Sequence, residues 1–300
     1  MTPAVQTTHL AVEIATQPDN WAEAAHLATT YTDVLPEPGE RVAVIGCGTS
    51  LSIARAYATL REGAGLGVTD AWPASAARLG RPYDRLIAIS RSGTTTEVLA
   101  ALADHDMACP VTVITSSVHT PLLALGDPIL VPQFDERSVV QTRFATSILA
   151  LLRAHLGHDL TGVIADARHA LVEPDEAYAH VREVEQITFV GMGLGGALAE
   201  EAALKLREAT QSWAEFYLAT EYRHGPISIS EPGRAVWALG PLIADFERDV
   251  AVTGAHLEHR DIDPMADLIR VQRLCVMRAS DRGIDPDQPR NLARSVILDS

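Results

Sequence analysis

The sequence predicts an α/β protein with two similar lobes, each containing a mainly parallel sheet flanked by helices. From Arg41 onward, short apolar strands alternate with helical segments, a pattern typical of parallel sheets covered by helices. The segment Val44–Glu62 also resembles Phe189–Glu208 at an offset of 145 positions, which indicates a duplicated lobe. The composition fits this class, because 47% of the residues are hydrophobic and only 5% are aromatic.

The chain's charge and cysteine usage limit the classes of protein it can represent. A formal net charge of −15 without a basic patch argues against binding nucleic acid or an anionic membrane. Its 3 cysteines form no CxxC motif and its 11 histidines have no metal-ligand spacing, so we expect no disulfide framework and no metal. No apolar run approaches 18 residues, and Glu13 interrupts the N-terminal apolar stretch. We therefore expect a cytoplasmic protein.

Residues 1–40 are predicted to form an N-terminal helical segment, with two short helices that break at Gln17-Pro18. Residues 41–158 form the first lobe. Its predicted strands are RVAVIG, LGVTDA, RLIAIS, PVTVIT and DPILVP, and its predicted helices are 51–62, 97–104 and 138–155.

Residues 159–181 are predicted to form a linking helix, and residues 182–300 a second lobe with a C-terminal tail. This lobe has predicted strands ITFVG, AVWALG and a short one at 256–260, and predicted helices near 245–253 and 264–280. Its glycine-rich turn, Gly191–Gly196, lacks the hydroxyl groups of the first lobe. We therefore expect one phosphate site in each chain.

Two turns of the first lobe combine glycine with several hydroxyl side chains. They are Gly46–Ser50 and Ser90–Thr96 (SRSGTTT), and each lies between a strand and a helix. Free backbone N–H groups at a helix N-terminus attract phosphate, and Ser or Thr hydroxyls complete its hydrogen bonds. Alternatively, these residues are ordinary helix N-caps. Neither turn is a Walker loop or a full GxGxxG motif, which argues against ATP and NAD.

The segment Glu200–Pro226 contains the residues that we predict to be catalytic. Of the 24 basic side chains, Lys205 is the single Lys, and Glu208 follows at i+3 on the same predicted helix face. His224 lies in the turn after this helix. Amine, carboxylate and imidazole are the groups of acid/base or imine-forming sites. Alternatively, codon bias explains the lone Lys, Glu208 is a solvated charge and His224 caps a turn.

Six segments together resemble the sugar isomerase (SIS) family, in particular the isomerase half of glucosamine-6-phosphate synthase and the related stand-alone deaminases and isomerases. They are CGTS, SRSGTTTE, ERSVVQT, EAALKLRE, EYRHGP and DQPRNLARSV. The resemblance implies two flavodoxin-like lobes, a sugar phosphate substrate, no cofactor and a homodimer or larger assembly.

The resemblance also implies the role of each site residue. The predicted phosphate-binding residues are Thr49, Ser50, Ser90, Arg91, Ser92 and Thr95. Glu208 is implied as the base that moves a proton between C1 and C2, and Lys205 as the amine that stabilises the open-chain oxygen. His224 is implied to assist ring opening, in its own or the neighbouring subunit. Arg91 stands where the synthase has Gln.

Two departures from the synthase guide the choice of reaction. The sequence has no glutaminase domain, so we do not expect glutamine to donate nitrogen. Arg294 stands where the synthase's tail has an imine-forming Lys, and a guanidinium cannot form an imine. A hexosamine 6-phosphate brings its own nitrogen, so we predict an isomerase or deaminase for this substrate, with Arg294 as an anchor.

Two other functions use many of the same residues. A deglycase acting on fructosamine 6-phosphates needs the same phosphate loops and the same base. A phosphosugar-binding regulator needs only the phosphate loops, so Glu208 and His224 favour an enzyme. Residues 1–40 are too few and too acidic for a helix-turn-helix domain.

Overall fold

The computed structural model describes residues 8–103 and 109–298, and it confirms the predicted α/β class with two parallel sheets and flanking helices. Its strands are β1 Val42–Gly46, β2 Thr69–Pro73, β3 Arg85–Ile89, β4 Val111–Thr115, β5 Asp127–Leu130, β6 Gln186–Gly191, β7 Trp213–Leu218, β8 Ala235–Leu239 and β9 His256–His259. Its helices are α1 His9–Ala15, α2 Gln17–Leu27, α3 Thr49–Gly63, α4 Thr96–Ala103, α5 Arg143–His155, α6 Thr161–Val172, α7 Ala179–Arg182, α8 Leu194–Thr210, α9 Ala219–Tyr222, α10 Phe246–Ala251 and α11 Pro264–Asp281.

The chain forms two compact units whose segments alternate along the sequence. The five-stranded unit contains Asp19–Glu136, Arg143–Leu160 and the tail from Ala293. The four-stranded unit contains the residues up to Pro18, Arg137–Thr142 and Thr161–Leu292. These units are defined by contacts, and each contains several separate segments. The continuous domains predicted from the sequence, with boundaries at 41, 159 and 182, therefore remain a prediction.

The five-stranded sheet has the order β2-β1-β3-β4-β5, and all its neighbouring strands are parallel. Every residue of β1, β3 and β4 is buried, because helices cover both faces of a parallel sheet. Helix α3 contacts β1, β2 and α5. Since β1 and β3 are neighbours, the two hydroxyl-rich turns that follow them lie at the same carboxyl edge of the sheet, where α/β proteins bind ligands.

The four-stranded sheet has the order β7-β6-β8-β9 and is also parallel. Helix α8 contacts β6, β7 and α11, and α11 also contacts α1 and α6. Lys205 and Leu206 are among the residues that α8 buries. The predicted catalytic helix is therefore part of this unit's core and not a solvated surface helix.

The internal repeat is confirmed at the level of the backbone. In each unit a buried strand is followed by a glycine turn, a long helix and a parallel neighbouring strand. Gly48 precedes α3 with φ 53° and ψ −124°, and Gly193 precedes α8 with φ 54° and ψ −124°. Glycine adopts this conformation without strain, whereas other residues are strained in it, so both turns require glycine at this position.

One strand was missing from the sequence-based prediction. Strand β7 lies at the edge of the four-stranded sheet, where Trp213, Phe216 and Leu218 are exposed. Its apolar residues follow the α8 pattern directly, with only Gln211 in the left-handed region to end the helix. No proline or glycine lies at this boundary, so the local pattern does not indicate a change from helix to strand.

Several helix bounds also differ from the prediction. Helix α3 begins at Thr49 and not at Leu51, α5 begins at Arg143 and not at residue 138, and the stretch 159–181 contains the two helices α6 and α7. The predicted end of α4 at Asp104 lies outside the described residues. The break between α1 and α2 is confirmed, with Pro18 in the first turn of α2, where its missing N–H has no helical partner to lose.

Candidate active site

The first hydroxyl-rich turn places Thr49 and Ser50 at the start of α3. The two residues are 3% and 4% exposed, and the cap of the helix is Gly48, with no side-chain cap. The interpretation of Thr49 and Ser50 as ordinary N-caps is therefore wrong, since both lie inside the helix. A Cβ on Gly46 would come within 2.8 Å of Ser50, so this glycine allows the strand to approach the helix closely.

The second turn, SRSGTTT, is held by its own hydroxyl groups. The Ser90 and Thr95 hydroxyls are 3.3 Å apart, and Ser90 Oγ accepts a hydrogen bond from the N–H of Gly93 at 3.2 Å. Ser92 Oγ accepts one from the N–H of Thr94 at 3.2 Å and one from its hydroxyl at 3.1 Å. Two N–H groups that we expected to be free are thus already bonded, and the hydroxyls are the main polar groups of this turn.

Arg91 extends into a buried ion pair behind this turn. Its side chain is 1% exposed and lies 3.6 Å from the equally buried carboxylate of Glu136. The main-chain oxygen of Arg91 accepts hydrogen bonds from Thr115 Oγ1 at 2.9 Å and Ser116 Oγ at 3.0 Å. The backbone of the turn is therefore anchored to β4 and to the residue that follows β4. The Arg91 guanidinium is anchored to Glu136.

Arg294 reaches the same cluster from the C-terminal tail. Its guanidinium donates to the main-chain oxygen of Glu136 and to the carboxylate of Asp135, while its own carbonyl accepts a hydrogen bond from Arg91 at 3.1 Å. The adjacent Ser295 lies 3.1 Å from the Ser92 hydroxyl and 3.0 Å from the Thr94 hydroxyl. The structure thus brings Arg294 together with the predicted phosphate residues of the second turn.

Lys205 and Glu208 form the predicted pair on α8. Lys205 Nζ lies 2.5 Å from Glu208 Oε2 and 3.4 Å from Glu201 Oε1. The side chains of Lys205 and Glu201 are 1% and 2% exposed, whereas that of Glu208 is 20% exposed. Of the three groups, the Glu208 carboxylate is therefore the one that solvent or a substrate can reach.

His224 lies beyond α9 in the four-stranded unit and is exposed. Its N–H donates to the carbonyl of Glu221 at 2.9 Å. Within residues 8–103 and 109–298, no hydrogen bond or ion pair joins its imidazole to Lys205 or Glu208. Its role in ring opening remains a prediction.

The sequence interpretation missed four polar residues of these clusters: Thr94, Asp135, Glu201 and Ser295. Glu201 could have been found, because it lies at i−4 from Lys205 on the same helix face. Thr94 could also have been included, because it belongs to the SRSGTTT turn and contacts Ser92 two positions away. Asp135 and Ser295 could not be assigned to a cluster from local spacing, since they meet their partners across 159 and 203 positions.

Two of the three cysteines, Cys47 and Cys275, are not suited to nucleophilic catalysis. Burial and the nearby Glu97 carboxylate raise the pKa of Cys47, and complete burial raises the pKa of Cys275 to about 12. Both thiols are therefore protonated near neutral pH, and the thiolate is the reactive form. In the described residues, no group of three or more His, Cys, Asp or Glu could hold a metal ion, and no helix has the length and apolar character needed to cross a bilayer.

The candidate site residues thus fall into two clusters: hydroxyl-rich turns at the carboxyl edge of the five-stranded sheet, and a carboxylate–ammonium pair on the buried helix α8. The chain is 28% identical over 316 residues to a glutamine–fructose-6-phosphate aminotransferase (isomerizing) of Symbiobacterium thermophilum, a match that covers 86% of the chain and 52% of the relative. The chain is thus similar in sequence to the isomerase (SIS) domains of these aminotransferases.

Solved structures with the same fold cover nearly the whole chain. Glucosamine-6-phosphate deaminase of Thermotoga maritima matches with a TM-score of 0.79 and 23% identity over 96% of this chain and 100% of that one. Tagatose-6-phosphate ketose/aldose isomerase of Escherichia coli matches with a TM-score of 0.79 and 20% identity over 100% and 99% of the two chains. No family model matches. The chain spans about half the length of the curated relatives it matches.

Proposed function

We propose that the chain converts a hexosamine 6-phosphate into a ketose 6-phosphate and ammonia. The observation that supports this proposal most strongly is the pair formed by Glu208 and the buried Lys205, in a chain homologous to sugar-phosphate isomerase domains. A carboxylate held by a fixed ammonium, yet still partly exposed, is suited to move a proton on a bound sugar.

The proposed reaction is an isomerisation followed by hydrolysis. In the open-chain substrate, Glu208 removes the proton from C2 and returns a proton to C1, while the amine loses one proton and the C1 oxygen gains one. The aldehyde becomes a primary alcohol and the C2–N bond becomes an imine. Water then adds to C2, the C–N bond breaks and ammonia leaves. The two steps need no oxidant and no glutamine, because the substrate supplies the nitrogen.

Lys205 is proposed as an electrostatic partner of Glu208 and not as an imine-forming amine. Its ion pairs with Glu201 and Glu208 favour an ammonium, which has no lone pair with which to attack a carbonyl. Its side chain is also 1% exposed, so little of it is accessible to a substrate. Arg294 cannot form an imine either. A substrate that carries its own nitrogen is consistent with this, because it needs no imine with Lys205 or Arg294.

The phosphate group is proposed to bind the hydroxyl-rich turns of the five-stranded unit. Hydroxyls of Ser90, Ser92 and Thr95 and the helix start at Thr49-Ser50 supply donors to an anion. The two nearby guanidinium groups, on Arg91 and Arg294, are already paired with Glu136 and Asp135. Affinity for phosphate therefore depends mainly on hydroxyl and backbone donors.

A substrate panel tests the proposal. Glucosamine 6-phosphate, galactosamine 6-phosphate and fructosamine 6-phosphates of several amino acids are incubated with the chain, with and without glutamine, and ammonia and ketose release are measured. We expect equal amounts of ammonia and ketose 6-phosphate from a hexosamine 6-phosphate, without dependence on glutamine. Turnover of fructosamine 6-phosphates alone would indicate a deglycase. A rise in melting temperature with phosphosugars but no turnover would indicate a regulator.

A further inference from the structure

The tail residue Ser295 contacts the second turn with its hydroxyl group. Ser295 Oγ lies 3.1 Å from Ser92 Oγ and 3.0 Å from Thr94 Oγ1, and these two oxygens are themselves 3.1 Å apart. The three hydroxyls form a closed triangle. Each carries one donor and two acceptor sites, so the triangle can satisfy itself or turn its three donors toward one anion.

The tail does not need this hydroxyl to stay in place. On one side of Ser295, the guanidinium of Arg294 binds Asp135 and the main chain of Glu136. On the other side, the carbonyl of Val296 accepts a hydrogen bond from the N–H of Thr96 at 3.2 Å, and the N–H of Leu298 donates to Thr96 Oγ1 at 2.9 Å. These flanking contacts hold Ser295 against the turn independently of its side chain.

The same contacts reduce the number of backbone donors that the turn can offer. The N–H of Thr96, at the start of α4, is occupied by the tail, and the N–H groups of Gly93 and Thr94 are bonded within the turn. Because these three N–H groups are occupied, an anion at this turn depends more strongly on the hydroxyls, and each hydroxyl contributes a larger share of the binding. A hydroxyl that is already positioned costs little conformational entropy on binding.

We infer that Ser295 is a phosphate-binding residue, contributed to the second turn by the C-terminal tail together with Thr94. The inference rests on the proposed phosphate site and extends it. The site is completed by a residue 203 positions away from Ser92 in the sequence. Ser295 sits between flanking tail residues that are exposed, and it is itself only partly exposed, as expected for a side chain directed at the turn.

Calorimetric titration with glucitol 6-phosphate, an open-chain phosphosugar without a carbonyl, tests the inference, with glucitol as the ligand that lacks phosphate. We expect Ser295→Ala to weaken glucitol 6-phosphate binding about tenfold, since a hydrogen bond to a charged group is lost. Ser295→Thr keeps the hydroxyl and should restore most of the affinity. Val296→Ala is the matched tail control and should bind as the unchanged protein does, because its main-chain contact remains.

A double-mutant cycle tests whether Ser92 and Ser295 bind the same phosphate or whether Ser295→Ala acts through a general change in the tail. If Ser92 and Ser295 bind the same phosphate, the losses caused by Ser92→Ala and Ser295→Ala should be non-additive. Unchanged or tighter binding by Ser295→Ala, with the unchanged protein still binding glucitol 6-phosphate, would overturn the inference and leave the phosphate site intact. Absence of binding by the unchanged protein would overturn the phosphate site, and the inference with it.

Discussion

At the scale of single residues, the main feature of the molecule is a buried ammonium between two carboxylates. Lys205 is the chain's single Lys, and its ammonium contacts Glu201 and Glu208 on α8. A buried charge is tolerated only when it is paired. Both carboxylates therefore help to hold the Lys205 ammonium in the core.

Replacement of Lys205 should destabilise the protein. Lys205→Met removes the ammonium that lies 3.4 Å from the buried Glu201 carboxylate, which we expect to cost about 3–5 kcal/mol because one partner of a buried ion pair is lost. Urea unfolding followed by circular dichroism measures this change. The double variant Lys205→Met/Glu201→Gln should recover part of the loss, since it also removes the buried negative charge with which Lys205 pairs. If Lys205→Met were as stable as the unchanged protein, the ion pairs of Lys205 would not stabilise the fold.

His155 should make stability depend on pH. Burial, together with the nearby Arg61 and Arg85 guanidinium groups, lowers the pKa of His155 below its ordinary value of 6.5, although Pro36 O accepts a hydrogen bond from its ring at 2.9 Å. The unfolded chain therefore binds a proton more readily than the folded one. The free energy of unfolding should fall as the pH drops below about 6.5 and toward the lower folded pKa.

The variant His155→Gln tests this pH dependence, because Gln can donate to Pro36 O but does not titrate. Urea unfolding at pH 7.5 and pH 5.5 should show a smaller loss of stability for His155→Gln than for the unchanged protein. The exposed His26 provides a control, and His26→Gln should leave the pH dependence unchanged. An equal pH dependence in the His155 and His26 variants would contradict the role of His155.

At the scale of elements, the glycine turns before α3 and α8 determine where both helices begin. Gly48 and Gly193 share the same unusual backbone conformation, and a Cβ on either residue would meet no atom within 4 Å. The need for glycine is therefore conformational and not steric. In the five-stranded unit, this turn presents Thr49 and Ser50 at the edge of the sheet.

Gly48→Ala should therefore destabilise the protein by about 1–2 kcal/mol, the usual cost of a positive φ for an L-residue. Thermal unfolding with Gly162→Ala as the matched control measures this difference. Gly162 lies inside α6 with space for a Cβ, so its substitution should be neutral or stabilising by up to about 1 kcal/mol. Equal melting temperatures for the two variants would contradict a conformational role for Gly48.

Local sequence patterns predicted most of the elements, the two hydroxyl-rich turns and the Lys205–Glu208 pair. Strands β1, β3, β4, β6 and β8 were predictable because buried parallel strands are short apolar runs, and the Lys205–Glu208 pair because helix spacing is regular. Strand β7 was not predictable, since the pattern of exposed residues in an edge strand resembles the pattern at the end of a helix. The contacts of Ser295 and Arg294 were not predictable from spacing, because they join the tail to a turn about 200 positions earlier.

At the scale of the whole molecule, an acidic chain is proposed to bind an anionic substrate. The net charge is −15, and Arg91 and Arg294 near the second turn are compensated by Glu136 and Asp135. Long-range attraction therefore contributes little to phosphate binding. In the proposed function, hydroxyl and backbone donors supply the affinity for phosphate, and a single carboxylate, Glu208, supplies the proton transfer.

Deuterium exchange at carbon is the most direct test of this account. The chain is incubated in D2O with the hexosamine 6-phosphate that is turned over most rapidly, and deuterium at C1 of the ketose product is measured by NMR. We expect deuterium incorporation with the unchanged protein and with the exposed control Glu247→Gln. Glu208→Gln should exchange at least about 100-fold more slowly and still bind glucitol 6-phosphate. Exchange by Glu208→Gln at the unchanged rate would contradict the assignment of Glu208 as the base.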